Sequence, residues 1–142
     1  MQRNSAEQVN LLPAFSRLIA KAWPYRVFFQ YHPKMNVLVV DDHEVNRTLL
    51  VRILQKLGYS ADTATNGLEA VAATRSKSYQ LIFMDIYMPF MDGISAAEVI
   101  SSSLVNPPNI IAVSTDSSLK KRCQGFADFI DKPISLQRIT MH

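Results

Sequence analysis

Val37-Leu-Val-Val-Asp-Asp42 and Leu81-Ile-Phe-Met-Asp85 follow one pattern, four apolar residues in a row followed at once by acid. Such runs are short, bounded and without a polar face, as expected of strands covered on both sides in a parallel sheet. The carboxylates that close them then stand side by side at one edge of that sheet.

Working outward, short apolar runs alternate with segments of helical period from Met35 onward, which predicts an α/β protein. Strands are expected at Asn36 to Val40, Ser60 to Ala64, Leu81 to Met84, Asn109 to Val113 and Ala127 to Ile130. Between the first two, Val45, Leu49, Ile53 and Leu57 recur at intervals of four, Leu50 and Leu54 widen the stripe, and Gly58 follows as a helix stop. The next helix opens at Asn66 with Glu69 three residues on, a capping box, and runs to about Ser76. A third starts near Gly93 and ends before Asn106, Pro107 and Pro108, which a helix does not cross. Right-handed crossovers then give a flavodoxin-like three-layer sandwich with a five-stranded parallel sheet in the order 2-1-3-4-5, and its crevice lies beyond the carboxyl ends of strands 1 and 3.

Composition narrows the class. The 142 residues suit about one domain, and 48% apolar with 19% charged is ordinary for a globular protein. Cys123 is the single cysteine, so no disulfide forms within the chain and no zinc-type Cys/His cluster exists, and a reducing, cytoplasmic setting is expected. No run approaches the roughly 18 apolar residues of a membrane span. The net charge of +3 is unevenly placed. Residues 1–34 hold Arg3, Arg17, Lys21, Arg26 and Lys34 against Glu7, whereas the remainder holds ten basic and eleven acidic residues. The basic balance thus belongs to the leader and does not argue for nucleic-acid binding by the body.

Asp41, Asp42 and Asp85 in one crevice repel one another unless they take up protons or bind a cation, and a hard divalent ion such as Mg2+ suits an oxygen-only donor set. Lys132 and Ser114, at the ends of later strands, face the same crevice and can serve phosphoryl oxygens by charge and hydrogen bond. Taken singly, Asp41 or Asp42 could equally cap a helix, Lys132 could be a solvated turn residue and Phe129 plain core. His32, His43 and His142 have no partners at ligand or triad spacing and read as surface residues; Cys123 reads as inert.

Four runs resemble the landmark motifs of response-regulator receiver domains of two-component signalling: Val37-Leu-Val-Val-Asp-Asp42, Met84-Asp-Ile-Tyr-Met-Pro-Phe-Met-Asp-Gly93, Ile110-Ile-Ala-Val-Ser-Thr115 and Phe129-Ile-Asp-Lys-Pro133. They occur in the family's order across nearly all of residues 35–142. The stretch His43-Glu-Val-Asn-Arg47 is more similar to receivers attached to hybrid sensor kinases than to those joined to DNA-binding domains.

The resemblance implies that Asp85 is the phosphoacceptor, that Asp41, Asp42, Asp85 and the Tyr87 backbone carbonyl hold Mg2+, that Lys132 and Ser114 serve the phosphoryl group, and that Ser114 and Phe129 form the switch. It implies a sensor histidine kinase or a histidine phosphotransfer protein as partner, with homodimerisation left open. An isolated chain of this kind is a phosphoacceptor rather than an enzyme, and a fragment of a hybrid kinase would belong to that kinase. The rival reading is a pseudo-receiver, an interaction module that keeps the fold without phosphotransfer.

Ser114 and Lys132 stand eighteen positions apart, about one helical turn fewer than the family usually has, and nine residues follow Pro133. Shortened fourth and fifth helices are therefore expected. Tyr87 and Asp116 occupy places that in the family govern access of water to the phosphoryl group. The leader, residues 1–34, lies outside the resemblance and carries six of the aromatic residues, Phe15, Trp23, Tyr25, Phe28, Phe29 and Tyr31. Docking on the receiver or incidental extension ranks ahead of membrane contact for it.

Overall fold

The computed structural model describes residues 35–123 and 125–134. Five parallel strands, β1 (Val37–Val40), β2 (Ala61–Ala64), β3 (Leu81–Asp85), β4 (Asn109–Ser114) and β5 (Asp128–Asp131), form one sheet in the order β2-β1-β3-β4-β5. Helices α1 (Glu44–Lys56), α2 (Gly67–Ser76) and α3 (Gly93–Ser103) make the first three crossovers, and a five-residue 3₁₀ helix, Ser117–Lys121, makes the last. The shortened fourth helix is thus a single turn or so. The fifth helix and the leader lie outside the described residues.

Apolar burial on both faces explains the continuous runs. Val37, Val39, Leu81, Phe83, Ile111 and Val113 pack with α1 on one face, while Leu38, Val40, Ile82, Met84 and Ile110 pack with α2 and α3 on the other. Met35 is buried in the first cluster. Met84 is buried, with Met88 and Met91 partly buried against the same cluster.

Two local expectations are corrected. The buried face of α1 is Leu50, Ile53 and Leu54, whereas Val45 and Leu49 are exposed. A strict four-residue row drifts by about 40° per step at 100° per residue, so it winds off the sheet at its start. In the α2 cap, Asn66 Oδ1 accepts from the Glu69 N–H at 2.9 Å as expected, but the Glu69 carboxylate returns to the Thr65 N–H, one residue before the capping position. β1, β2 and β5 each start one residue later than expected, and β3, β4 and β5 each end one residue later.

Candidate functional site

Strand register assembles the site. Val40 pairs with Met84, so the next residues, Asp41 and Asp85, come up as neighbours. Asp85 pairs with Val113 and Ser114 pairs with Asp131, so Ser114 and Lys132 follow one step further along the same edge, where the Lys132 N–H donates to the Ser114 carbonyl at 2.9 Å. The Lys132–Pro133 peptide is cis.

The loop after Asp85 is held by two close backbone approaches. A Cβ on Gly93 would stand 2.1 Å from the Asp85 carbonyl oxygen, and one on Gly67 would stand 2.5 Å from that of Met91. Only glycine allows either approach. The Gly93 N–H donates to the Ile86 carbonyl at 2.8 Å, which closes the loop that carries Tyr87.

Asp41 and Asp85 are 6% and 5% exposed, and Asp42 is half-buried. Lys132 Nζ lies 3.0 Å from Asp41 Oδ2 and 3.0 Å from Asp85 Oδ1, so one ammonium ion bridges two buried carboxylates. Burial, reinforced by the charge of Asp41 and opposed by Lys132, pushes the Asp85 pKa up to about 6. Burial works against the Lys132 ammonium, yet its bonds to Asp41 and Asp85 outweigh it and hold its pKa above the ordinary lysine value. Three carboxylates crowded around one cation are under-neutralised, and the oxygen donors suit a hard divalent ion, so the residues fit magnesium.

Asp41 is also a scaffold. Its Oδ1 accepts from the His43 N–H at 2.9 Å, and its backbone carbonyl accepts from Arg47 Nη1 at 2.9 Å. The Asp41 side chain thus makes a turn ahead of α1 and does not cap it, since His43 is the capping residue and α1 has no side-chain cap. Ser114 is buried, and its Oγ accepts from the Asp116 N–H at 3.1 Å. Phe129 is half-buried against Ile86, Ala112, Leu119 and Cys123, with Lys120 Nζ 5.7 Å from its ring centre. Tyr87 is exposed, and its hydroxyl donates to Asp116 Oδ2 at 3.3 Å.

The reading of His43 as a residue without partners is corrected. Its ring is exposed, but Nδ1 lies 3.1 Å from Asp42 Oδ1 and 3.7 Å from Asp41 Oδ1, and ligand atoms of Asp41, Asp42, His43 and Asp85 all lie within 4.8 Å of one another. Arg47 was likewise given no role by its spacing. The available signal was adjacency: a residue that follows two acids and receives the turn made by the first is carried over the second.

The sequence profile of the family "Response regulator receiver domain" matches residues 37–142. Hybrid signal transduction histidine kinase F of Dictyostelium discoideum is 40% identical over 110 residues, which are 71% of this chain and 10% of that protein. The chain therefore corresponds to about a tenth of that relative's length. Among solved structures, response regulator protein TrrA of Thermotoga maritima in complex with Mg(2+)-BeF matches with a TM-score of 0.69 and 30% identity, covering 75% of this chain and 94% of that one. A chain of the Saccharomyces cerevisiae co-crystal of the histidine phosphotransfer protein Ypd1 with the receiver domain of Ssk1 matches with a TM-score of 0.65 and 32% identity, covering 73% and 82%. Strand order, the acid-lined edge at Asp41 and Asp85 and these likenesses converge, and the chain belongs to the response-regulator receiver domain family of two-component signalling.

Proposed function

We propose that this chain accepts a phosphoryl group on Asp85 from a phosphohistidine carried by a sensor histidine kinase or a histidine phosphotransfer protein. The observation that carries the reading is the Lys132 ammonium 3.0 Å from Asp85 Oδ1, beside Asp41 and Asp42. An Asp85 carboxylate oxygen attacks phosphorus, the P–N bond to the donor imidazole breaks, and the imidazole leaves with a proton from solvent, giving an aspartyl phosphate. Lys132 is placed to hold a phosphoryl oxygen as charge moves onto it. Magnesium, held by Asp41, Asp42, Asp85 and the Tyr87 carbonyl, would neutralise charge on the transferred group.

Ser114 and Phe129 are the proposed switch. Once Asp85 carries phosphate, the Ser114 hydroxyl exchanges the Asp116 N–H for a phosphoryl oxygen, and Phe129 turns into the space it leaves. The Ypd1 and Ssk1 co-crystal supports a phosphotransfer protein as the partner class. No helix among the described residues is long and apolar enough to cross a membrane.

The test is intact-mass analysis after incubation with acetyl phosphate and magnesium, beside Asp85→Asn. One added phosphoryl mass of about 80 Da that requires magnesium and vanishes in the variant is expected. No gain under conditions that label another receiver would make the chain a pseudo-receiver.

A further inference from the structure

We propose that Lys120 is a positioning residue of the switch: its ammonium holds the Phe129 ring in its resting place beside Leu119 and Cys123, and so sets how readily the ring turns towards Ser114. The inference rests on the reading of Ser114 and Phe129 as the switch and adds what governs its resting state.

Strand register puts the parts on one face. Ala112 pairs with Phe129, and Ser114 pairs with Asp131. Residues two apart on a strand share a face, so Phe129 and Asp131 stand beside Ala112 and Ser114 on the same side of the sheet. Lys120 lies over that side, with Nζ 5.7 Å from the Phe129 ring centre and 3.9 Å from Asp131 Oδ2. The ring contact falls within the roughly 6 Å over which an aromatic face attracts a cation. The ion pair is at the outer limit of reach, its side chains are 57% and 43% exposed, and exposed pairs of that kind contribute little. What Lys120 restrains is therefore the ring.

The same residue is tied to Ser114 through the backbone. Lys120 belongs to the 3₁₀ helix Ser117–Lys121, which Asp116 caps by accepting from the Ser118 N–H at 3.0 Å. The N–H of Asp116 in turn donates to Ser114 Oγ at 3.1 Å. A 3₁₀ helix of five residues has few internal hydrogen bonds and leans on its cap, whereas a regular helix of several turns would hold itself. When the Ser114 hydroxyl turns to a phosphoryl oxygen, Asp116 loses that anchor and the segment carrying Lys120 is free to move off the ring. Release of Phe129 and the opening of space beside Ser114 thus follow from one event.

The test is titration of beryllofluoride, a phosphoryl analogue, with magnesium into the full chain and its variants. Binding and ring position are linked, so a contact that favours the resting ring weakens the analogue. Relative to Lys121→Met, which removes the same charge from the neighbouring exposed residue, Lys120→Met is expected to bind beryllofluoride about two- to fivefold more tightly, the range of an exposed cation–aromatic contact. Lys120→Arg keeps a cation over the ring and should match wild type. In a Phe129→Leu background, Lys120→Met should have the same affinity as Lys121→Met. Equal affinities of Lys120→Met and Lys121→Met in the wild-type background overturn the proposal, as does a difference that persists without the Phe129 ring. A second readout needs no phosphoryl chemistry: in ¹³C-edited NMR of the metal-free chain, the Phe129 ring should average over more rotamers in Lys120→Met and not in Lys120→Arg. A chain that binds no beryllofluoride refutes the phosphoryl reading of Asp85, and the ring then decides alone: a change in Lys120→Met retains the restraint, and an unchanged ring overturns it.

Discussion

Lys132 Nζ lies 3.0 Å from Asp85 Oδ1 with both side chains almost withdrawn from water, and the same ammonium is 3.0 Å from Asp41. Lys132 thus holds together two carboxylates that would otherwise repel. Removing one partner of a buried pair leaves uncompensated charge, at a cost of up to about 3–5 kcal/mol. Protonation of Asp85 relieves part of this, so Lys132→Ala is expected to lose about 1–3 kcal/mol in urea unfolding at pH 7.5 in EDTA, and less at pH 5. Its phosphorylation by acetyl phosphate should fall about a hundredfold, the scale seen when one preorganised charge donor is removed. Labelling at the wild-type rate would remove Lys132 from the proposed chemistry.

The raised Asp85 pKa makes a pH prediction of definite sign. Between 3.8 and about 6 the folded chain holds a proton on Asp85 that the unfolded chain has released, so stability falls as pH rises through that window. At about 1.4 kcal/mol for each pH unit, ionising Asp85 costs the metal-free fold about 3 kcal/mol above pH 6. Asp85→Asn should therefore raise the melting temperature in EDTA at pH 7.5, should do little at pH 3.5, and should remove most of the stabilisation that magnesium gives wild type. A variant less stable than wild type at pH 7.5 in EDTA would contradict this account.

Gly93 supports Asp85 through the backbone. A Cβ there meets the Asp85 carbonyl at 2.1 Å, an approach that no side-chain adjustment relieves. Gly93→Ala is expected to cost at least about 1–3 kcal/mol, as overpacking does, and to slow phosphorylation by displacing the strand end. Gly125→Ala, with open space around its Cβ position, is the control for denaturant unfolding.

Much of this was legible in the sequence because it depends on chain direction alone. Continuous apolar runs ending in acid specify a doubly covered parallel sheet, and parallel register then brings Asp41, Asp42, Asp85, Ser114 and Lys132 to one edge whatever the loops do. What was missed depends on angle. The phase of α1 puts Val45 and Leu49 in solvent although they share an interval with Ile53, and the turn made by Asp41 brings the His43 ring over Asp42. Spacing along a sequence does not encode helix phase against a sheet, nor the direction of a ring at a helix start. The bond from Tyr87 to Asp116 was hidden for the same reason, since it joins two loops whose separation only the fold fixes.

That bond leads to a prediction about lifetime. The Tyr87 hydroxyl reaches Asp116 across the mouth between the β3 and β4 loops, close to Asp85, so the bulky ring should slow the approach of water to an aspartyl phosphate. Tyr87→Ala is expected to lose the phosphoryl group several-fold faster, and Tyr87→Phe, which keeps the ring and loses the bond, should fall between. Decay of ³²P label from gel-purified protein measures both, and a Tyr87→Ala lifetime equal to wild type would refute the shielding role.

The exposed start of α1 offers a way to separate chemistry from docking. Val45 is 79% exposed and Leu49 42%, on the helix that follows Asp41 and Asp42, so a protein that brings a phosphohistidine to Asp85 is expected to dock on this face. Acetyl phosphate needs no such surface. A carboxylate placed in an apolar contact has to be desolvated without a partner, and a penalty of about 1.4–2 kcal/mol is roughly ten- to thirtyfold in affinity. Val45→Glu with Leu49→Glu should therefore depress transfer from a phosphorylated histidine phosphotransfer protein about ten- to thirtyfold in kcat/KM while labelling by acetyl phosphate continues. Both positions face solvent in the isolated chain, so the fold should tolerate the change, which the unfolding midpoint verifies. Equal loss with both donors would place the defect at Asp85 itself, and no loss with either would move the docking face away from α1, towards the loop that carries Phe90, where an 84% exposed aromatic stands beside the same site.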